Sequence, residues 1–565
     1  MSNFILKTLE TRELKLNTIR LRGFYGGKLR KGSGGGGSSD GFPVLPGDVT
    51  RWHFGGLTNE MMAAMDDPRI EDADHKGRFL SFKNFAWKEG SGISDVYPGA
   101  LVFDGVDDYG VCKNFPILTK EKGYTVVALR QWDQDFLNTT LTGGLLSTRN
   151  YSTGEGVAFE KIESSNKGYW NLGAGGIIDF AKSPFTWQTS KQYNNVGILK
   201  GDKNHGKPLC VGCGLSGGQQ CGRFAIWELV FLDHDATEEE LTKIKDYFVK
   251  TYPWLFPDQA WTVVGKTNED EDRATIANIT GNGNDLVLSN VAFSENSGYG
   301  SYPFGMNVWN PDYIADQPYG TVHYPNDSKS YATTVKNNAT NFRIKFRLRG
   351  LPEGGSFLIR VFDMNDLNTV LKTYTYTENG IHEFVYNDPN KPARIILYNG
   401  NTPSNISEFY LDIIPEYEGY LVTDGVDDKI TSSIFEMGND WTVIGDWELI
   451  NTGKKDNAGI VKFDSIVIYN YNPILINIKN GRNNLIPDQN TVNAICSDGR
   501  IYSKDWKESI YNEETESTSK NLLTIGYSGN SYTKIAFRNL AIYPTVLSKE
   551  DCIKAYNYLQ TLKAK

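Results

Sequence analysis

The sequence predicts an all-β protein of several domains. It reads as two copies of one β-sandwich, each closed by a short helix, with a further sandwich inserted in the second copy and a basic arm in front. Three observations carry this reading. Gly reaches 57 of 565 residues and Tyr plus Phe 59, against 7 Met; turn formers and aromatics in that ratio favour short strands over helical bundles. Four blocks of sequence recur in the same order. Between two of them lies a stretch of strict polar–apolar alternation, the period of a half-buried strand. A chain of 565 residues also exceeds what one core fills.

The first element is the arm. Residues 1–31 hold eight basic residues against Glu10 and Glu13, in a chain whose net charge is −10. Ile5, Leu6, Leu9, Leu14, Leu16, Ile19 and Leu21 make it too apolar for a solvating tail. The linker GSGGGGSSDG (32–41) follows, flexible by composition. The segment reads as a docking arm, with Arg12, Arg20, Arg22, Lys28, Arg30 and Lys31 as its candidate contacts. It lacks the uninterrupted apolar run of a secretory signal. No window approaches the ~18 apolar residues of a membrane span, so no membrane insertion is expected. The acidic total, pI ≈ 5.3, argues against nucleic-acid binding.

The repeat comes next. YPGALVFDGVDDYG (97–110) returns as YEGYLVTDGVDDKI (417–430), and KGYTVV (122–127) as NDWTVI (439–444). LCVGC…GRFAIWELVFL (209–232) returns as LTIGY…KIAFRNLAIY (523–543). DATEEELTKIKDYF (235–248) matches VLSKEDCIKAYNYL (546–559). Upstream, LTNE (57–60) matches KTNE (266–269) and SFKNFAWKEGSGI (81–93) matches LSNVAFSENSGY (288–299). These opening blocks lie 206–209 residues apart, the FDGVDD blocks 320 apart. The second copy therefore carries an extra domain of about 110 residues, inserted at a loop whose ends lie close together. The boundaries are 1–48 (arm and linker), 49–256 (first copy), 257–305 (opening of the second), 306–416 (insert) and 417–565 (remainder of the second).

Within a copy, LVFDGVDDYGVC reads as a hairpin, with Leu101 and Phe103 on one face before the Asp/Gly turn and Tyr109 and Val111 after it. FAIWELVFL and IAFRNLAIY read as core strands. Thr237 and Glu240 form a capping box for a helix whose apolar face is Leu241, Ile244 and Phe248. In the second copy Ser548 and Asp551 take the cap, and Cys552, Ala555 and Leu559 the face. In the insert, FRIKFRLRG (342–350) points Phe342, Ile344, Phe346 and Leu348 inward, and Arg343, Lys345, Arg347 and Arg349 outward. SFLIRVFDM, KTYTYT, ARIILYN and EFYLDIIP supply further strands of a jelly-roll-like sandwich. The basic stripe reads as a solvated strand face or as a contact for acidic glycans or a neighbouring subunit.

The two lectin-like features of these residues are the FDGVDD opening and the FAIWELVFLD strand followed by the TEEELTKIKDYF helix. They resemble concanavalin A-like lectin/glucanase modules of the laminin-G type, over residues 97–252 and 417–562. The wider pattern TNED–DRATI–NITGNGNDL–LSN–AF–SGYG, ahead of such a module, resembles virion proteins of tailed phages of gut Bacteroidales, the crAss-like phages included. The resemblance implies a head or tail fibre subunit on the virion surface, anchored to capsid or tail proteins by its basic arm. It would be a homo-oligomer, dimer or trimer, adhering to cell-surface or mucin glycans. A decoration protein without sugar binding, a polysaccharide depolymerase and a bacterial surface protein stay open as alternatives, the last ranked lowest for want of a secretion signal.

Candidate chemistry is sparse. Cys210, Cys213 and Cys221 lack the fourth ligand a structural zinc needs, and Cys210 and Cys213 align with Thr524 and Tyr527; ordinary buried or half-buried cysteines are expected. Six cysteines are too few for a disulfide scaffold. Asp104, Asp107 and Asp108 recur as Asp424, Asp427 and Asp428 and fit either a calcium site or the needs of a tight turn. Otherwise no cofactor is expected. A glycosidase needs two carboxylates across a cleft; no E-x-D-x-x-E strand is present, and Glu228, the acid inside a core strand, is Asn539 in the other copy. The six histidines form no metal or catalytic motif, so the sequence is read as that of a protein that is not an enzyme. Trp132, Trp170, Trp187 and Trp309 are candidates for stacking on sugar rings, against a packing role for each.

Overall fold

A computed structural model describes residues 41–564 apart from 117–123, 149–157, 162–166, 171–175, 180–187, 190–207, 301–306, 309–320, 325–331, 399–407, 451–458, 470–474, 479–481, 486–491, 511–520 and a few shorter breaks. The chain divides into two compact units, Met1–Pro46 and Gly47–Lys565, and nearly all of the described residues belong to the second. Strands dominate that unit, with few helices.

In the first copy one sheet runs Gln188–Thr189, Thr125–Trp132, Arg223–Leu232, Leu101–Asp104, Gly92–Ile93, with Val49–His53 also paired to Arg223–Leu232. The facing sheet includes Gly143–Ser147, Leu209–Val211, Tyr109–Cys112, Phe79–Lys83 and Arg69–Glu71, in that order. Trp52, Phe103, Phe224 and Ile226 from the first sheet meet Leu80, Phe82, Leu146 and Leu209 from the second in one core. The second copy repeats both orders. Thr442–Leu449, Ile535–Tyr543, Leu421–Val422 and Gly298–Tyr299 form one sheet, with Gln259–Thr262 on Ile535–Tyr543. Gly459–Phe463, Asn521–Ile525, Lys429–Phe435, Leu286–Ser289 and Thr275–Ile276 form part of the other.

The duplication extends to single bonds. Asn59 donates to Ile93 O (2.7 Å) and accepts from Ile93 N (2.8 Å). Asn268 does the same with Tyr299, at 3.3 and 2.8 Å. The preceding glycines, Gly92 and Gly298, adopt φ of +147° and +140°, and a Cβ on either would lie 2.3 or 2.5 Å from the asparagine oxygen. Each copy also has a bulge in its long central pairing, between Ile226 and Glu228 in one and at Asp446/Trp447 opposite Asn539/Phe537 in the other. Trp227 and Arg538 are the residues left over.

The insert leaves and re-enters across one step of backbone ladder. Gly300 N donates to Tyr420 O (2.7 Å) and Tyr417 N to Gly300 O (2.9 Å). In the first copy Ser94 N reaches Ala100 O (3.1 Å) and Gly99 N reaches Ser94 O (3.2 Å), so five residues there do the work of the whole insert. The insert has a sheet Asn307–Val308, Ala332–Ala339, Ala393–Tyr398, Phe357–Asp363, Val370–Tyr376 and a sheet Thr321–Tyr324, Phe409–Ile414, Asn341–Arg349, Gly380–Asn387. Asn341–Arg349 alternates exposed and buried throughout, and Phe342, Ile344, Phe346 and Leu348 enter a core of the insert's own.

The helix Glu238–Thr251 starts with the Thr237/Glu240 capping box, and Lys549–Leu559 is capped by Ser548. Their apolar faces are buried. The second helix also ties the copies together. Tyr558 donates to Gln131 Oε1 of the first copy and packs edge-on against Trp227 at 6.0 Å. Lys563 pairs with Asp135 at 2.6 Å.

Two expectations are corrected. LVFDGVDDYGVC is not a hairpin: Leu101–Asp104 pairs with Arg223–Leu232 in one sheet, whereas Tyr109–Cys112 pairs with Phe79–Lys83 and Leu209–Val211 in the other. The turn is an arch across the sandwich, and it uses the hairpin's residues because both need a positive φ, here Gly105 (+77°) and Gly425 (+76°). Cys213 and Cys221 are not free thiols but a disulfide, since they face each other across a tight antiparallel pair. Cys210 beside them is buried and lies outside the disulfide.

Candidate functional site

The paired aspartates do come together: in each copy one carboxylate oxygen of all three lies within 4.8 Å of the others. Asp104 Oδ1 accepts from the Val106 and Asp107 amides at 2.8 and 3.3 Å. Asp108 accepts from Asp104 N (3.0 Å) and the Ser91 hydroxyl (3.1 Å). Asp424 repeats its amide bonds in the second copy, but there the Asp424 amide and Ser297 both bond Asp428 Oδ2, and Asp428 Oδ1 is buried with no partner among the described residues. Of the six oxygens in the first cluster, three are thus already engaged by the turn. Calcium takes six to eight. The first cluster's donor set fits the closing of the arch rather than a calcium cage. Burial pushes Asp108 up to about 7, against the pull of Ser91 and the Asp104 amide, and Asp428 up to about 6.

Of the candidate stacking rings, Trp132 is corrected to a core residue. It is 4% exposed, stacked on Phe136 at 6.1 Å and against Phe224 at 5.2 Å. Trp170 lies on a strand described by its backbone alone, and Trp187 and Trp309 lie outside the described residues. So do Arg12, Arg20, Arg22, Lys28, Arg30 and Lys31.

Glu228 has a role that sequence reasoning missed. It is buried beneath the helix Glu238–Thr251, where it accepts from Tyr247 (3.0 Å) and Tyr252 (2.9 Å). It also meets Arg51 at 3.5 Å and His53 at 2.7 Å. Arg51 and Glu228 are sealed from solvent, so this network seats the helix. Its members lie up to 199 positions apart, which no local pattern reveals.

The exposed chemistry is on the insert. Asn341–Arg349 runs between Gly380–Asn387 and Phe409–Ile414. The register sets Lys345 opposite Glu383 and Arg347 opposite Asp412. Yet both acids are taken diagonally: Arg343 pairs with Glu383, and Arg349 grips Asp412 at 2.6 and 2.9 Å. The central cations, Lys345 and Arg347, are left without an ion pair among the described residues. They stand about 7 Å apart, two residues along a strand. On one side Tyr410 stacks on His323 (4.8 Å, 14°) beneath the Arg349 guanidinium at 4.9 Å. Its hydroxyl donates to Glu408 at 3.1 Å, a bond that raises its pKa. On the other side Ile381 and Val385 are 54% and 49% exposed. Two uncommitted cations between an aromatic plate and an apolar strip can hold an anion and a ring together.

No family model matches the chain, and no curated protein does. Among solved structures, the chain is similar to a Trypanosoma rangeli sialidase in complex with the inhibitor DANA, at 8% identity over 87% of this chain and 68% of that one, with a TM-score of 0.19. It is similar to dimeric latent PorU from Porphyromonas gingivalis at 9% identity, 76% and 33% coverage and a TM-score of 0.11. It is also similar to a triple jelly roll protein from the turret assembly of an archaeal virus, at 8% identity, 78% and 82% coverage and a TM-score of 0.09. The sialidases among these withdraw the expectation that the chain is not an enzyme. At such TM-scores they put no activity in its place.

Proposed function

We propose that this chain is an appendage of a tailed-phage virion, a head or tail fibre subunit, that adheres to host or gut glycans bearing acidic groups. Its two sandwiches are read as concanavalin A-like modules of the laminin-G type, its insert as a jelly roll, and its basic arm as the anchor to capsid or tail proteins. The observation that carries the adhesive part is the insert's outer face: Lys345 and Arg347 without an ion pair among the described residues, Tyr410 on His323 beside them. A sugar carboxylate suits the cations, and the apolar face of its ring suits the exposed Ile381 and Val385 strip. Many copies on a particle convert weak single contacts into avidity.

The test is binding of the full chain to immobilised polygalacturonate at rising salt. The wild type binds, and binding weakens as salt screens the exposed charges. Lys345→Gln with Arg347→Gln abolishes it, leaving the unfolding midpoint in place because both side chains are exposed and no like charges are set opposite Glu383 or Asp412. Equal binding by wild type and double variant contradicts the reading.

A further inference from the structure

The duplication supplies an internal control for the second copy. Leu129 and Asp446 hold the same place, each facing the residue after the bulge, Glu228 or Asn539. The bulged residue is Trp227 in one copy and Arg538 in the other. Ala100 corresponds to Tyr420, each accepting the ladder bond from Ser94 or Gly300. In the first copy the cluster is apolar and shut: Trp227 is 1% exposed, donates to Pro98 O at 2.9 Å and is covered by Tyr558.

In the second copy the same place is polar and reaches solvent. Asp446 and Arg538 side chains are 13% and 29% exposed and 3.9 Å apart. Tyr420 donates to both Asp446 oxygens at 3.3 Å, the long end of the range for such a bond. Burial raises the Asp446 pKa. The Arg538 guanidinium lies 5.6 Å from the Tyr420 ring, its Nε is buried with no partner, and Tyr417 stands edge-on to Tyr420 at 6.5 Å. Burying a carboxylate and an arginine donor is unfavourable, and the first copy shows that the scaffold does without them. Bulges often serve to re-aim a side chain at a site.

We propose that Asp446, Arg538 and Tyr420 bind an uncharged saccharide. One of two neighbouring sugar hydroxyls donates to Asp446 in place of the long Tyr420 bonds. The other accepts from the partly exposed Arg538 guanidinium, and the Tyr420 ring takes the apolar face of the sugar. The carboxylate and guanidinium neutralise each other, so the site suits a neutral ligand where the insert's face suits an anionic one. The inference rests on the glycan-adhesion reading and adds a second, separable specificity.

The experiment titrates the full chain calorimetrically with cello-, laminari-, manno- and galacto-hexaose, and separately with polygalacturonate. The wild type binds at least one hexaose. Asp446→Leu and Tyr420→Ala install the first copy's residues at these positions and should fold; each lowers that affinity at least tenfold and leaves polygalacturonate binding unchanged. Arg538→Lys, which keeps the charge but replaces the forked guanidinium donors by a single ammonium, falls by a similar factor. Hexaose binding that survives these substitutions overturns the inference, as does a wild type that binds polygalacturonate and no hexaose, with the adhesion reading intact. A wild type that binds neither overturns both.

Discussion

Asp108 and Asp428 show how a buried group ties stability to pH. An unfolded aspartate titrates near ~3.9, whereas folding raises these two to about 7 and about 6. Between those limits the folded chain holds the extra protons, so their contribution grows as pH falls from about 7 towards 4 and is flat above. Asp108→Asn with Asp428→Asn should raise the unfolding midpoint at pH 8 and flatten its rise between pH 8 and 5; an unchanged profile contradicts the assignment. Because the turn already uses half of the first cluster's oxygens, adding calcium or a chelator should leave the midpoint where it is. At this scale the sequence was a partial guide. The aspartates were visible as a repeated cluster, but Trp132, flanked by Gln131 and Asp133, looked like a loop residue. It is core because alternation along Thr125–Trp132 turns it inward.

Among the elements, the helix Lys549–Leu559 is the one whose loss spreads furthest. It closes its own sandwich and holds the first copy through Tyr558 and Lys563. Tyr558→Phe leaves the buried Gln131 oxygen unpaired, so it should cost about 1–3 kcal/mol in urea unfolding. Ser548→Ala, which removes only a cap, should cost about 1 kcal/mol. Equal effects would mean that the helix serves its own copy alone. The cap, the apolar face and the neighbouring strands were all legible, since each follows from spacing within a dozen residues. Their partners were not. Nothing local to FDGVDD says that its two strands join different sheets, and nothing in FRIKFRLRG says that Arg343 and Arg349 will claim the acids opposite Lys345 and Arg347.

For the whole molecule, the duplicated sandwich reads as scaffold and the insert as the displayed part. The matched ladder bonds at Gly300 and Ser94 make this separable. Residues 301–419 can be replaced by the five residues that fill 95–99 in the first copy, joining Gly300 to Tyr420 without moving either strand. Among the described residues, the core of the second copy draws none from the excised stretch.

The most direct measurement compares this shortened chain with the full one, by thermal unfolding and by binding to immobilised polygalacturonate. The shortened chain is expected to be a single folded species with a midpoint close to that of the full chain and no polyanion binding left. A shortened chain that binds as well as the full one, or that does not fold, contradicts it.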